Sequence, residues 1–196
     1  MDRTARPLVI VTAFATSLLI GLLVILWAMG GVRGVTAPAA IGGSFRLTDQ
    51  NGATVTEKDL QGHPSLIFFG FTHCPDVCPT SLFEISEILR AMGKDADKVN
   101  AYFISVDPER DTAAAMKDYL SSFDPHLKGL TGDPAAVQKV ITEYRVYAKK
   151  VPLKDGDYTM DHTALIYLMD RDGKFVSPFN VNRKPEQAAA DLKRYL

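Results

Sequence analysis

The sequence predicts an α/β three-layer sandwich, with a central mixed sheet between helices, preceded by one N-terminal transmembrane helix. Three observations carry that prediction. Residues 8–29 form a run of 22 without a charged side chain, long enough at 1.5 Å per residue to cross a bilayer core of about 30 Å. Beyond it, short apolar runs alternate with segments of 3.6-residue periodicity, the signature of strands exchanging with helices. Near the end of the chain, two apolar runs close around Asp170-Arg171-Asp172-Gly173, a hairpin turn, before a final amphipathic helix.

The anchor comes first. Arg3 and Arg6 precede the apolar run and Trp27 stands near its far end, so the positive-inside rule leaves residues 1–7 in the cytoplasm and everything after the span outside. Ala37-Pro38-Ala39 resembles a signal-peptidase site, but a signal h-region is shorter, about 7–15 residues, and the run ends well before that alanine pair. A retained anchor is the expectation. A core helix is excluded because the run is apolar on every face. Residues 30–43, rich in Gly, Ala and Pro, read as a linker, and residues 44–196 as one globular domain.

Within the domain, residues 45–47 and 54–56 flank Asp49-Gln50-Asn51-Gly52, a hairpin signal. Residues 65–71 are a buried strand. Residues 80–92 are a helix with Leu82, Phe83, Ile85, Ile88 and Leu89 on its apolar side. Residues 99–106 are the next strand, ended by Asp107-Pro108. Helices follow at 112–123 and 133–144, the second opened by Asp133 as N-cap with Pro134 in its first position. Residues 146–151 and 159–169 are strands around the polar turn Lys154-Asp155-Gly156-Asp157, residues 174–179 are the last strand, and 185–196 the closing helix. This order is thioredoxin-like, with a hairpin and a helix added.

A net charge of −1 and no basic stripe argue against nucleic-acid binding. Seven residues ahead of the span leave no room for a transit peptide, so the compartment reads as a bacterial periplasm, with the chain fixed in the inner membrane by its own anchor.

The chain has two cysteines, four residues apart in Phe71-Thr72-His73-Cys74-Pro75-Asp76-Val77-Cys78-Pro79. They lie between a strand and a helix, where backbone N–H groups lack partners and the helix dipole favours thiolate over thiol. Pro79 suits the first helical position, which makes Cys78 the N-cap and sets Cys74 one turn upstream, roughly 6 Å away between Cα atoms. That spacing permits a disulfide, and equally lets both sulfurs converge on one soft ion. A buried apolar pair is the plain alternative, disfavoured because Cys-Pro twice at a strand end packs a core poorly.

Copper is the metal to test first, because thiolate and imidazole suit Cu(I). The cysteine pair needs one more ligand. Of the four histidines, His162 is the leading candidate: Asp161-His162-Thr163 sits where a connecting loop enters the apolar strand 164–169, on the side of the sheet edge that faces the cysteines. His73, next to Cys74, competes with it. His63 and His126 stand beside prolines in polar loops and receive no task.

Three separated motifs then point to a family. Phe71-Thr72-His73-Cys74-Pro75-Asp76-Val77-Cys78-Pro79-Thr80, followed by Ile104-Ser105-Val106-Asp107-Pro108-Glu109-Arg110-Asp111-Thr112, followed by Tyr158-Thr159-Met160-Asp161-His162-Thr163 and Ile166-Tyr167-Leu168-Met169-Asp170, resemble the Sco/SenC family of membrane-anchored copper chaperones. The resemblance implies Cys74, Cys78 and His162 as ligands of one copper ion, Cu(I) with Cu(II) left open. It implies delivery to the CuA site of cytochrome c oxidase subunit II, or reduction of that site's cysteines, with a periplasmic copper donor and a thiol reductant as further partners. Asp161 would orient the His162 ring or tune its basicity, while Met160 departs from the family pattern and is read as packing, with a weak thioether ligand as the alternative. Pro108 and either Asp111 or Thr112 have local roles as turn and helix cap, while Arg110 could serve a docking surface.

The rival reading is a periplasmic thiol–disulfide oxidoreductase or thiol peroxidase without copper, in which Cys74 and Cys78 are the redox pair. A redox or copper sensor acting by contact is a third. His162 discriminates, since a dithiol reductase does not need it.

Overall fold

The computed structural model describes residues 5–30, 40–154 and 156–196. The expected cytoplasmic Arg3, the linker residues 31–39 and Asp155 of the polar turn lie outside the described residues. Contacts divide the chain into two units, Met1–Ala39 and Ala40–Leu196. Among the described residues the first holds one α-helix, α1, Ala5–Gly30, with no acidic residue in its first turn and no basic residue in its last. Counted over the described residues alone, no helix is long and apolar enough to cross a membrane.

The second unit is built on a seven-stranded sheet. β1 (Arg46–Asp49) and β2 (Thr54–Thr56) form the predicted hairpin. Its turn uses Gly52 at φ +88°, and the Asp49 carboxylate accepts from the N–H groups of Asn51 and Ala53, both at 2.8 Å. β3 (Ser65–Gly70) is buried at every position, as its unbroken apolar run requires of a central strand. β4 (Asn100–Ser105) and β5 (Leu127–Thr131) run parallel to it in turn, β3 to β4 and β4 to β5. β8 (Ile166–Met169) joins β3 from the other side antiparallel, and β9 (Phe175–Pro178) closes the sheet. The order is β2-β1-β5-β4-β3-β8-β9, a mixed sheet.

The connections set the layers. α2 (Val77–Met92) crosses from β3 to β4 and α3 (Ala113–Leu120) from β4 to β5. Both crossovers step in the same direction along the sheet, so the right-handed rule puts both helices on one face. The closing α5 (Pro185–Leu192) packs against α2. α4 (Pro134–Glu143) serves the opposite face, where Tyr144 at its end packs on Phe69, ring centroids 5.5 Å apart.

Four differences from the sequence reading have physical reasons. Helix α2 begins at Val77 with Asp76 as N-cap, so Cys78 is inside the first turn instead of capping it. Pro79 is tolerated there because none of the first N–H groups of a helix has an intrahelical partner. Phe83 is exposed, while Leu82, Ile85, Ile88 and Leu89 are buried as expected. β5 escapes the sequence reading altogether: its Gly129 interrupts the apolar run, at a point where a Cβ would stand 2.7 and 2.8 Å from the side-chain ends of Leu120 and Met116 of α3, so the glycine lets the helix pack close. The single strand expected over 159–169 is two, β7 (Tyr158–His162) and β8, because β7 leaves the main sheet to pair with β6 (Ala148–Pro152) in a separate antiparallel ribbon.

The core joins both faces through Phe68 stacked on Phe103 at 5.9 Å and Phe69 packed on Tyr144 and Tyr167. Gly70, at the end of β3, leaves room that Cys78 occupies: an added Cβ would lie 2.8 Å from its Sγ.

Candidate metal centre

β3 delivers the chain to a tight turn in which the Cys74 N–H donates to the Phe71 carbonyl at 3.3 Å. Asp111 fixes this turn from beneath. Its fully buried carboxylate accepts from the Thr72 N–H at 3.2 Å, the Thr72 hydroxyl at 2.6 Å and the Ser105 hydroxyl at 2.7 Å. Burial pushes the Asp111 carboxyl up from its ordinary value, and those donated hydrogen bonds oppose the rise. The neighbouring Thr112 is the actual cap of α3, accepting from the Ala115 N–H at 3.2 Å.

Cys78, in the first turn of α2, is fully buried, and Cys74 is partly exposed. The Cys78 N–H, one of the orphan donors of the helix start, faces Cys74 Sγ at 3.4 Å. For the Cys78 thiol the expected pull of the helix dipole loses to burial. Desolvation raises its pKa far above the ordinary thiol range, a backbone hydrogen bond with Phe71 opposes this, and Cys74 adds to it. Burial thus favours the neutral form of the Cys78 thiol. A bound cation supplies the charge that lets such a thiol deprotonate.

His162 arrives from the ribbon. It is the last residue of β7, paired with Ala148, and its Nε2 lies 3.5 Å from Cys78 Sγ. Its Nδ1–H donates to the Thr163 carbonyl at 3.1 Å, which leaves the Nε2 lone pair free to bind a metal. Thr163 is itself fixed, donating its N–H to the Tyr147 carbonyl at 2.9 Å and accepting from the Tyr147 N–H at 3.0 Å. Phe71 meets the imidazole edge-on, centroids 5.6 Å apart.

The ribbon is tied to the main body through Arg110. Its Nε donates to Asp107 at 2.5 Å and one terminal nitrogen donates to the Tyr158 carbonyl at 2.9 Å. The guanidinium also lies 3.8 Å over the Tyr158 ring, and the Tyr158 hydroxyl donates to the other Asp107 oxygen at 2.9 Å. Asp107 and Arg110, read from the sequence as turn and surface, hold β7 against the site.

The ligand atoms of Cys74, Cys78 and His162 lie within 4.8 Å of one another. Donors around one ion at bonds of just over 2 Å stand roughly 3.5–4 Å apart, so small side-chain movements close the set. Two sulfurs and one imidazole nitrogen, with no carboxylate among them, suit a soft ion of low coordination number. A structural zinc site would ask for four ligands.

The remaining candidates fall outside this cluster. His73 is exposed, with Nδ1 3.1 Å from the Thr72 hydroxyl and 4.0 Å from Asp111. Asp161 is exposed on the ribbon opposite Lys149, and the Thr163 carbonyl orients the ring in its stead. Met160 packs against the core, as expected. His126 bridges Asp124 at 2.7 Å and Asp97 at 3.0 Å. Asp111 and the Thr163 carbonyl are the functional groups that sequence reasoning missed. A buried aspartate in a polar motif was a signal for the first; a backbone carbonyl leaves none.

A family model described as SCO1/SenC matches residues 33–196. The chain belongs to the SCO1/SenC family. It is 83% identical to the Bradyrhizobium japonicum ScoI whose structure was solved with copper bound, covering 80% of this chain and all of that one, with a TM-score of 0.79. The "SCO2-like protein" of Rickettsia felis is 40% identical over 155 residues, 78% of this chain and 76% of that protein. The mitochondrial "Protein SCO2 homolog" of Danio rerio is 40% identical over 157 residues, 79% of this chain but only 56% of the relative, so this chain spans little more than half of that protein. The thioredoxin-like sandwich with its mixed sheet is the fold this SCO1/SenC chain shares with ScoI.

Proposed function

We propose that this protein is a membrane-anchored copper chaperone of cytochrome c oxidase assembly, which holds one copper ion through Cys74, Cys78 and His162. It delivers the ion to the CuA site of subunit II, or reduces the cysteines of that site. The observation that carries the reading is the convergence of three soft donor atoms within 4.8 Å, in a family with copper-bound members. Copper is cargo here. The two thiol protons leave as it enters, and the imidazole binds through Nε2 while its Nδ1–H donates to the Thr163 carbonyl. Cys74 and His162 are only partly buried, so an incoming thiol reaches the ion from their side, and ligand exchange proceeds without opening the core.

The anchor is the uncharged run 8–29, which α1 covers. With Arg3 and Arg6 before it, the copper-binding domain faces the periplasm from the bacterial inner membrane. The partners are oxidase subunit II, a periplasmic copper donor and a thiol reductant. A second reading, thiol–disulfide exchange, has its own observation. The pair is asymmetric, one thiol accessible and one buried, as attacking and resolving cysteines are.

Anaerobic titration of the reduced protein with Cu(I) separates the two. His162→Ala should weaken copper binding at least tenfold, the loss of one ligand, and leave reduction of a model disulfide intact. His73→Ala should change affinity little. Equal uptake by wild type and His162→Ala, or a reversed ranking of the two histidines, would refute the ligand set. Loss of disulfide reduction in His162→Ala with copper affinity intact would favour the oxidoreductase.

A further inference from the structure

β9 accompanies β8 no further than the pair Tyr167–Pro178 and one last bond, in which the Phe179 N–H donates to the Ile166 carbonyl at 2.7 Å. The chain then bends away toward α5. Ala164 and Leu165, which lead from His162 into β8, are left with no strand beside them. Among the described residues, none exchanges a hydrogen bond with the backbone N–H or C=O of either one. Both are exposed. The sheet thus ends here in a short open edge, and unpaired edge groups are a template for pairing with another chain.

That edge borders a groove of about 460 Å³, the size of a small ligand cleft. α2 contributes Val77 and Thr80 to it, the open edge contributes Ala164 and Leu165, and the segment after β9 contributes Asn180 and Asn182. The groove adjoins the metal centre, because its first two flanks are the ones that carry Cys78 and His162, whose Sγ and Nε2 meet at 3.5 Å. Its lining decides what fits. Asp76 is the one charged residue there, so a phosphate or carboxylate ligand would find no cation. Val77 and Leu165 present exposed apolar side chains, and the two asparagines supply amides that both donate and accept. Apolar hollows beside unpaired amide groups match an extended polypeptide of low charge: its main chain supplies the hydrogen bonds and alternate side chains fill the hollows.

We propose that this groove seats an extended, uncharged segment of the copper acceptor, paired through its backbone with Ala164 and Leu165, and so brings the acceptor's cysteine to the open side of the metal centre. The inference rests on the copper reading. Cys74 and His162, the partly exposed ligands, are the ones an incoming thiol meets, while Cys78 stays buried. Docking on the edge fixes the acceptor against α2 and β8, and the hollow beside Leu165 selects which segment is held.

The test uses the full chain loaded with Cu(I) and two recipients: the soluble CuA domain of oxidase subunit II, and bathocuproine disulfonate, a small chelator that needs no groove. Two variants are compared with wild type. Leu165→Ala removes an apolar contact, and Thr80→Trp fills the groove from an exposed position. Each should raise the CuA-domain concentration that gives half-maximal transfer about tenfold, with Cu(I) affinity and transfer to the chelator unchanged. Amide exchange at Ala164 and Leu165 should slow when the CuA domain is bound. Unchanged half-saturation in both variants, or exchange that stays fast in the complex, would overturn the inference and leave the copper reading standing. Transfer to the chelator slowed as much as transfer to the domain would also overturn it, by making the groove part of the metal centre. Self-association of the wild type that Thr80→Trp abolishes would overturn it in favour of a second copy of this chain as occupant. A wild-type protein that takes up no copper would overturn both readings.

Discussion

Replacing Arg110 by methionine should loosen the ribbon that carries His162 and cost about 3 kcal/mol of stability. The magnitude follows from what the guanidinium touches. Asp107 is 1% exposed, and without Arg110 its charge keeps only the Tyr158 hydroxyl at 2.9 Å among its charge-compensating side-chain partners. Breaking a buried pair by removing one partner costs about 3–5 kcal/mol. The lower end applies because the Arg110 side chain is 17% exposed. The further contact to Asp157 at 3.4 Å counts for nothing, since Asp157 is largely solvated. Urea unfolding of the reduced, metal-free protein measures the loss. Amide hydrogen exchange over Ala148–Pro152 and Tyr158–His162 shows where it falls. The double variant Asp107→Asn/Arg110→Met should lose clearly less than the single one, because no stranded charge remains. A single-variant loss below about 1 kcal/mol, with ribbon amides as protected as in wild type, would refute the tethering argument.

Gly70→Ala should destabilise the fold by about 1–3 kcal/mol through overpacking, because its Cβ would meet Phe103 and Cys78 Sγ at 2.7 and 2.8 Å. Thermal melting reads this, and copper titration of the same variant should show weaker uptake as Cys78 is displaced; a neutral substitution on both counts would contradict the packing described. The His126 pKa is raised above 6.5 by hydrogen bonds with Asp124 and then Asp97. The stability this imidazolium adds is therefore fully present below about pH 6.5 and is lost as pH rises through the higher folded value. The stability difference between wild type and His126→Gln should shrink between pH 5.5 and 8.5, and a difference that widens with pH would invert the assignment.

Much of the fold was legible because its central strands are long apolar runs with clear helical segments between them. Residues 65–71 and 99–106 reappear as β3 and β4, trimmed by a residue or two, and Asp133 caps α4 as its neighbours Pro134 and Ala135 suggest. β5 was illegible because its glycine breaks the apolar run and packs under the ends of Leu120 and Met116 of α3, a contact made across sequence. The ribbon was illegible because residues 158–169 carry one continuous β signal, and only pairing with β6 decides that the chain leaves the sheet after His162. At the site, Cys74, Cys78 and His162 were legible as residue types that bind soft ions. The groups that hold them in place were not. Arg110 meets Tyr158 48 residues away and Asp111 meets Thr72 39 residues away, while the carbonyl of Thr163 has no identity in a sequence at all.

The three donors are divided between two pieces of the chain that can be perturbed separately. Cys74 and Cys78 stand on the turn and first helical turn that follow β3, and His162 stands on a ribbon outside the seven-stranded sheet. A disulfide between the sulfurs would withdraw two donors and leave the imidazole where it is. Lifting the ribbon would withdraw the imidazole and leave a two-coordinate dithiolate. On the copper reading proposed above, the protein would have two separate handles on one cargo, an electronic one at the cysteines and a mechanical one at the β6–β7 hairpin. A partner that grips the hairpin could lower the coordination number without touching sulfur chemistry, and a reductant could restore the sulfurs without moving the hairpin.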